Sequence, residues 1–178
     1  MAAIAAFDLS KSSAGWACWG DGLSKPIYGS KRLGHGNLTS FGLAFARVHQ
    51  MMSELHMATG FTVAYVEEPL QPQAVMSHTT FDTLFLLYGL VAHAHSWCEA
   101  KGVRIQCPNQ STWRRNFIGA RKRGTKSVDL KAMTIERARE LGFSPSNDDE
   151  ADALGILDWG CVAERITPPW RFNNCLVP

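Results

Sequence analysis

Apolar residues fill positions 2 to 7 and stop at Asp8. The polar turn LSKSS follows, then a second apolar run, Ala14 to Trp19, broken by Gly20-Asp21-Gly22. Residues 27 to 33 read as a third strand. Short apolar runs joined by Gly- and Ser-rich turns predict an antiparallel meander. The period then changes. Leu38, Phe41, Phe45, Val48, Met52 and Leu55 recur at alternating spacings of three and four. That spacing is one apolar stripe on a helix over about 39–58. Thr39 or Ser40 can cap its start, and Gly60 fits just past its end.

Phe61 to Val66 is apolar without alternation, as expected of a central strand covered on both faces. It ends at Glu67-Glu68-Pro69, because proline cannot donate to a ladder. Residues 70–77 form a loop. A second helix is predicted over 79–100, apolar nearly all round and so buried in the core or in a subunit interface. Val103 to Cys107 is a short strand closed by Pro108. Helices are expected at 109–117, 128–141 and 148–165, with a mobile basic loop at 119–126. The fold class is α/β: a mixed sheet, with an antiparallel meander feeding parallel strands and helices on both faces.

The 178 residues suit one domain. Residues 1–166 form it, and 167–178 are expected to be a loosely packed or disordered tail. The composition, 46% hydrophobic and 19% charged, excludes collagen, long disorder and a disulfide miniprotein. The longest apolar run, Leu84 to Ala94, falls short of the roughly 18–20 residues a bilayer demands. The N-terminal apolar run lacks a basic start and reads as a strand. Five cysteines without a CxxC pair support neither a disulfide framework nor a cysteine-type zinc site. A reducing, cytoplasmic compartment is expected.

Net charge is only +2, but it is unevenly spread. Residues 114–139 hold nine basic side chains against Asp129 and Glu136, a net of +7, and the remainder of the chain is −5. A basic stretch beside acidic clusters points to a polyanion partner and a separate carboxylate site. Taken alone, the segment equally fits a solvated helix face. Four acids stand at element ends. Asp8 ends the first strand and Glu67 the fourth. Asp149 and Asp152, three apart in the first turn of the last helix, share one helix face. If the first and fourth strands are neighbours, all four can meet. Carboxylates so close repel one another, and a divalent cation relieves the repulsion. Two such ions suit in-line phosphodiester hydrolysis. Asp148 and Asp149 also fit a plain helix N-terminus.

These residues resemble the RuvC-like Holliday-junction resolvases of the ribonuclease-H-like nuclease superfamily. The resemblance covers about residues 2–162 and rests on IAAFDLSKSSAGWACW, AYVEEPL, GTKSVDLK and DDEADALGI, in the family's order. The last is the most specific piece. The short chain and divergent loops resemble phage-encoded members. The resemblance implies a magnesium- or manganese-dependent endonuclease with two ions per site, held by Asp8, Glu67, Asp149 and Asp152. It places Lys126 near the scissile phosphate and Arg114 on the DNA backbone. Between Glu67 and Glu68, apolar on both faces, strand period does not choose; the family's hydrophobic-Glu pattern favours Glu67. The loop after Glu67 differs in length from the family's, and Leu70 stands where some members carry a junction-wedging aromatic.

The basic residues Arg115, Arg121, Lys122, Arg123 and Lys131 are expected, with Arg114, to bind phosphates without reading sequence. His93 and His95, two apart on a helix, read as packing or interface residues. Trp113 reads as core, with DNA contact as the alternative. The function expected is a homodimeric endonuclease making paired symmetric nicks in four-way junctions, with the apolar helix 79–100 as interface. A broader fork or flap nuclease is the near alternative. A non-catalytic nucleic-acid-binding module is further off, because all four carboxylates are present. An ATP-binding actin- or sugar-kinase-like protein would need glycine-rich phosphate loops and a second similar domain, for which the chain is too short.

Overall fold

A computed structural model describes residues 3–20, 22–34, 40–69, 71 and 79–172. Five strands form one sheet: β1 (Ile4–Leu9), β2 (Ser13–Trp19), β3 (Ile27–Arg32), β4 (Val63–Val66) and β5 (Arg104–Gln106), in the order β3-β2-β1-β4-β5. β1, β2 and β3 pair antiparallel, while β4 runs parallel to both β1 and β5. The mixed sheet read from the sequence is the one observed.

Six helices complete the described chain: α1 (Phe41–Thr59), α2 (Phe81–Lys101), α3 (Gln110–Ile118), α4 (Ser127–Glu140), α5 (Asp148–Ala163) and α6 (Pro169–Phe172). Ser40 caps α1, its Oγ accepting from Leu43 N at 3.1 Å. Gly60 and Gly102 end α1 and α2 in the left-handed region, at φ of 63° and 65°, where a glycine escapes the Cβ clash.

Because β1 and β4 are apolar on both faces, each supplies two cores. Phe7, Ala64 and Val66 pack under α1 and α2 with Val48, Met52, Leu86 and Leu90. Ile4, Ala6, Val63 and Tyr65 face α3 and α5 with Trp113, Leu154 and Leu157. α5 lies centrally on this second face and is buried on nearly all sides.

Three expectations change. β5 shrinks to three residues. α2 is not buried all round: Leu86, Leu90 and Ala94 face inward, but Phe81 and Phe85 are 79% and 53% exposed. The expected loose tail does not begin at 167, because Trp170 is buried edge-on against Trp19 and its Nε1 donates to Asp158 at 3.0 Å. Leu38, Leu70 and most of the 70–77 loop lie outside the described residues.

Candidate active site

The two-residue period of a strand decides which acids meet. Ile4 and Ala6 face α5, so Asp8 does too; Val63 and Tyr65 face α5, so Glu67 follows them. The parallel register pairs Phe7 with Val66, and Glu67 N donates to the Phe7 carbonyl at 3.1 Å. Asp8 and Glu67 therefore leave neighbouring strands side by side. Glu68 instead accepts from Gln71 and Asn109, at 3.3 and 3.4 Å.

α5 brings the other two acids. Asn147 caps it, its Oδ1 accepting from Glu150 N at 2.9 Å. The approach to the sheet depends on Gly15, which lies opposite Asp8 in the β1–β2 ladder. A Cβ at position 15 would stand 1.9 Å from the Asp149 carbonyl oxygen. Only a glycine admits the helix this close. Ser13, two residues earlier on the same face of β2, donates its hydroxyl to Asp149 Oδ2.

The four carboxylates line one cleft of about 230 Å³ together with Gln110, Arg114, Ser127 and Lys131. Burial pushes the Asp8 carboxyl well above the usual range, and the charges of Glu67, Asp152 and Asp149 push it further. Burial also raises Glu67 and Asp152, against the opposing pull of Arg114. Glu67 is held at both oxygens: Gln110 Nε2 donates to Oε1 at 2.9 Å and Trp113 Nε1 to Oε2 at 2.7 Å. Arg114 Nη2 donates to Asp152 Oδ2 at 2.6 Å. Yet Arg114 Nε and Asp152 Oδ1 are both buried without a partner.

The basic residues divide. Arg114, expected on the DNA backbone, is only 4% exposed and sits within the acid cluster. Its guanidinium is the internal counter-charge for Asp152, and an ordinary surface contact is closed to it. Lys131 lines the cleft and pairs with Asp148. Lys126, at the cap position of α4, is exposed, with the next residue, Ser127, on the cleft wall. Arg115, Lys122 and Arg123 are exposed, and Arg121 is half-buried. His93 and His95 stay out of the site: His93 Nδ1 lies 3.1 Å from His49 Nε2, and His95 Nε2 lies 3.3 Å from Cys107 Sγ.

Gly15, Ser13 and Gln110 were not site candidates in the sequence, and Trp113, which reads as core and is fully buried, adds a bond to Glu67 that the sequence did not indicate. Gly15 had a signal, the glycine of GWA downstream of Asp8. Gln110 and Trp113 had none, because their partner lies more than forty residues away.

The donor set fits a hydrated divalent cation better than a caged one. Among the described residues, no three Asp, Glu, His or Cys side chains are arranged to close round a single ion. Magnesium commonly takes one or two carboxylates and keeps its waters. The free Asp152 Oδ1 and the mutual repulsion around Asp8 both favour a cation there.

No protein-family model and no curated protein sequence matches the chain. Solved structures do. RuvC of T. thermophilus, in complex with a Holliday junction substrate, superposes with a TM-score of 0.65 at 13% identity, over 93% of this chain and 96% of that one. A second Thermus thermophilus RuvC structure gives 0.65 at 15% identity, over 92% and 96%. The yeast mitochondrial Holliday junction resolvase Ydc2 gives 0.56 at 14% identity, over 86% and 75%. The architecture of this chain is thus the ribonuclease-H-like fold of the RuvC resolvases, as the sequence resemblance implied.

Proposed function

We propose that the chain is a divalent-cation-dependent endonuclease that hydrolyses phosphodiester bonds in branched DNA, with the four-way junction as substrate. One observation carries the reading: Asp8, Glu67, Asp149 and Asp152 converge in one cleft on a fold shared with a junction-bound RuvC. These four would hold magnesium or manganese, two ions per site. A bound ion lowers the pKa of the attacking water and stabilises the leaving oxygen.

The chain's own residues prepare that chemistry. Gln110 and Trp113 fix the Glu67 carboxylate so that it does not swing away when a neighbour changes charge. Arg114 orients Asp152 and offsets part of the repulsion around Asp8. Lys131 and Lys126, with the exposed Arg115, Lys122 and Arg123 and the half-buried Arg121, supply positive charge to the phosphates beside the cleft.

Paired nicks need two sites related by a two-fold axis, and so a second copy of the chain. We assign that contact to the apolar groove of about 780 Å³ along α2, lined by Phe81, Leu84 and Phe85. An interface this apolar suits a stable homodimer. Among the described residues, no helix is long and apolar enough to cross a membrane.

The test is a cleavage assay on a four-way junction, a fork, a linear duplex and a single strand of shared sequence, each with magnesium, manganese or EDTA. Paired symmetric nicks in the junction alone, lost with EDTA, are expected. Equal cutting of the fork would replace junction selectivity with a broader branch nuclease. Binding without cutting under every condition would overturn the catalytic reading.

A further inference from the structure

On the far side of Asp149 from the carboxylate cleft lies a second and larger recess, of about 580 Å³. The β1–β2 turn contributes Ser12, β3 contributes Ser30, Lys31 and Arg32, and the residue capping α5 contributes Asn147. Its size falls in the range of about 300–1,000 Å³ typical of small-ligand sites. It lies outside the basic segment 114–139 that dominates the charge pattern.

The wall of this recess is built. Ser12 O accepts from Leu33 N at 2.8 Å and from Gly34 N at 3.2 Å, which ties the turn to the end of β3. Ser30 Oγ donates to Glu150 Oε1 at 3.0 Å and accepts from Asn147 Nδ2 at 2.9 Å. Glu150 accepts a further bond from Ser146 N at 2.8 Å and is only 7% exposed, so its charge is spent inside the wall. Lys31 is shared with Glu54 at 2.9 Å, and Glu54 itself is half exposed. Arg32 is exposed, and among the described residues its guanidinium has no partner. The same holds for the Ser12 hydroxyl. An unpaired guanidinium beside a free hydroxyl is the donor set that phosphate oxygens take up.

Resting on the nuclease reading above, we propose that this recess is a phosphodiester subsite. It holds the cleaved strand one or two nucleotides from the scissile bond, so that the strand crosses the Asp149 wall between recess and cleft. Basic residues then flank the carboxylates on both sides: Lys126 at the cap of α4 and Lys131 on it, Arg32 on β3. The carboxylate wall directs the strand without binding it, and the cations to either side set its course.

The experiment compares the full wild-type chain with Arg32→Ala, Arg32→Lys and Ser12→Ala on a four-way junction. Arg32→Ala is expected to raise KM about tenfold, the worth of one charge-assisted contact, with kcat within twofold. It should also lower the slope of log affinity against log salt by about one. Phosphate-ethylation interference should disappear at one or two phosphates on a single side of the cut. Arg32→Lys should restore the salt slope, which a merely structural role would not predict. A wild type that cuts, beside an Arg32→Ala chain with the same KM, salt slope and interference pattern, would overturn the subsite and leave the nuclease reading intact. A wild type that neither binds nor cuts a junction would overturn both.

Discussion

Two aspartates six residues apart on α5 show opposite ways of burying a charge. Asp158 is fully buried and fully answered: Trp170 Nε1 and Arg171 Nε donate to Oδ1 at 3.0 and 2.8 Å, while Asn116 Nδ2, at 3.0 Å, and Arg171 Nη2 donate to Oδ2. Asp152 is nearly as buried, but one oxygen has no partner and the other holds a single arginine. Burial of a charge is stable only when it is paired and hydrogen-bonded. Asp158 meets that condition from within the chain. Asp152 leaves it open, beside three more carboxylates, and an open requirement of this kind marks a place where something else binds. The contrast extends to the sheet's two faces. Among the described residues, the α1–α2 layer buries no charged side chain, whereas α3 and α5 bury Arg114, Glu150, Asp152 and Asp158.

Exchanging each aspartate for asparagine is the sharpest test of the contrast. Asp152→Asn is expected to lower the cleavage rate about 10³-fold, because the stabilisation a ligated cation gives is several kcal/mol. Its stability should change less than its rate, since Arg114 keeps Glu67 as a counter-charge. Asp158→Asn should do the reverse. Unpairing a buried ion pair costs about 3–5 kcal/mol, less here because Arg171 is partly exposed. A loss of about 2–3 kcal/mol lowers Tm by about 4–12 °C, with kcat preserved below the transition. Melting curves and single-turnover cleavage check both. Equal effects from the two variants would erase the distinction.

Gly15→Ala comes next. The new Cβ meets backbone, at the Asp149 carbonyl, and backbone cannot swing aside as a side chain can. α5 must shift, carrying Asp149 and Asp152 away from Asp8 and Glu67. A displacement near 1 Å costs about 10²-fold in rate. Binding of a four-way junction in EDTA, read by fluorescence anisotropy, should stay within about threefold, because the cations proposed to bind phosphates lie on other elements. An alanine variant with full cleavage activity would show that the close approach is not needed for the site.

Gly15 also shows what the chain's linear order can reveal. The meander, the long helices and their caps follow from local period and local chemistry, and the carboxylates stand out because each ends an element. The choice between Glu67 and Glu68 could not be read that way. β4 is apolar on both faces, and only its register with β1 tells which residue sits beside Asp8. In the sequence Arg114 reads as a surface cation, because a run of basic residues surrounds it; its burial depends on Asp152, 38 positions later. Trp113 reads as core and is fully buried, but its bond to Glu67, like that of Gln110, joins positions too far apart for local pattern to show, and Trp170 became part of the core through Trp19 at the other end of the chain. The Arg32 recess has no signature in a charge count over a segment, because its two cations come from one edge strand.

The smallest effect tests the open requirement directly, without cleavage. Asp8 holds its proton more tightly in the folded chain than an exposed aspartate does, owing to burial first and then to Glu67, Asp152 and Asp149. A carboxyl of this kind binds more protons folded than unfolded, so stability falls as pH rises from the ordinary carboxylate range, about 4, through the raised value. In EDTA, the wild type should therefore lose stability relative to Asp8→Asn as pH increases from 4 towards 8. At neutral pH the variant should be the more stable by about 0.5–2 kcal/mol, the usual gain from one relieved conflict, or about 1–8 °C in Tm. Adding manganese should reverse the order, because a ligand that binds only the folded state stabilises the chain that binds it more tightly. At Asp158, which is already answered by the chain, manganese should leave the cost of the asparagine unchanged. If Asp8→Asn instead melts lower than wild type at every pH in EDTA, the four carboxylates are held together by the chain itself and require no cation.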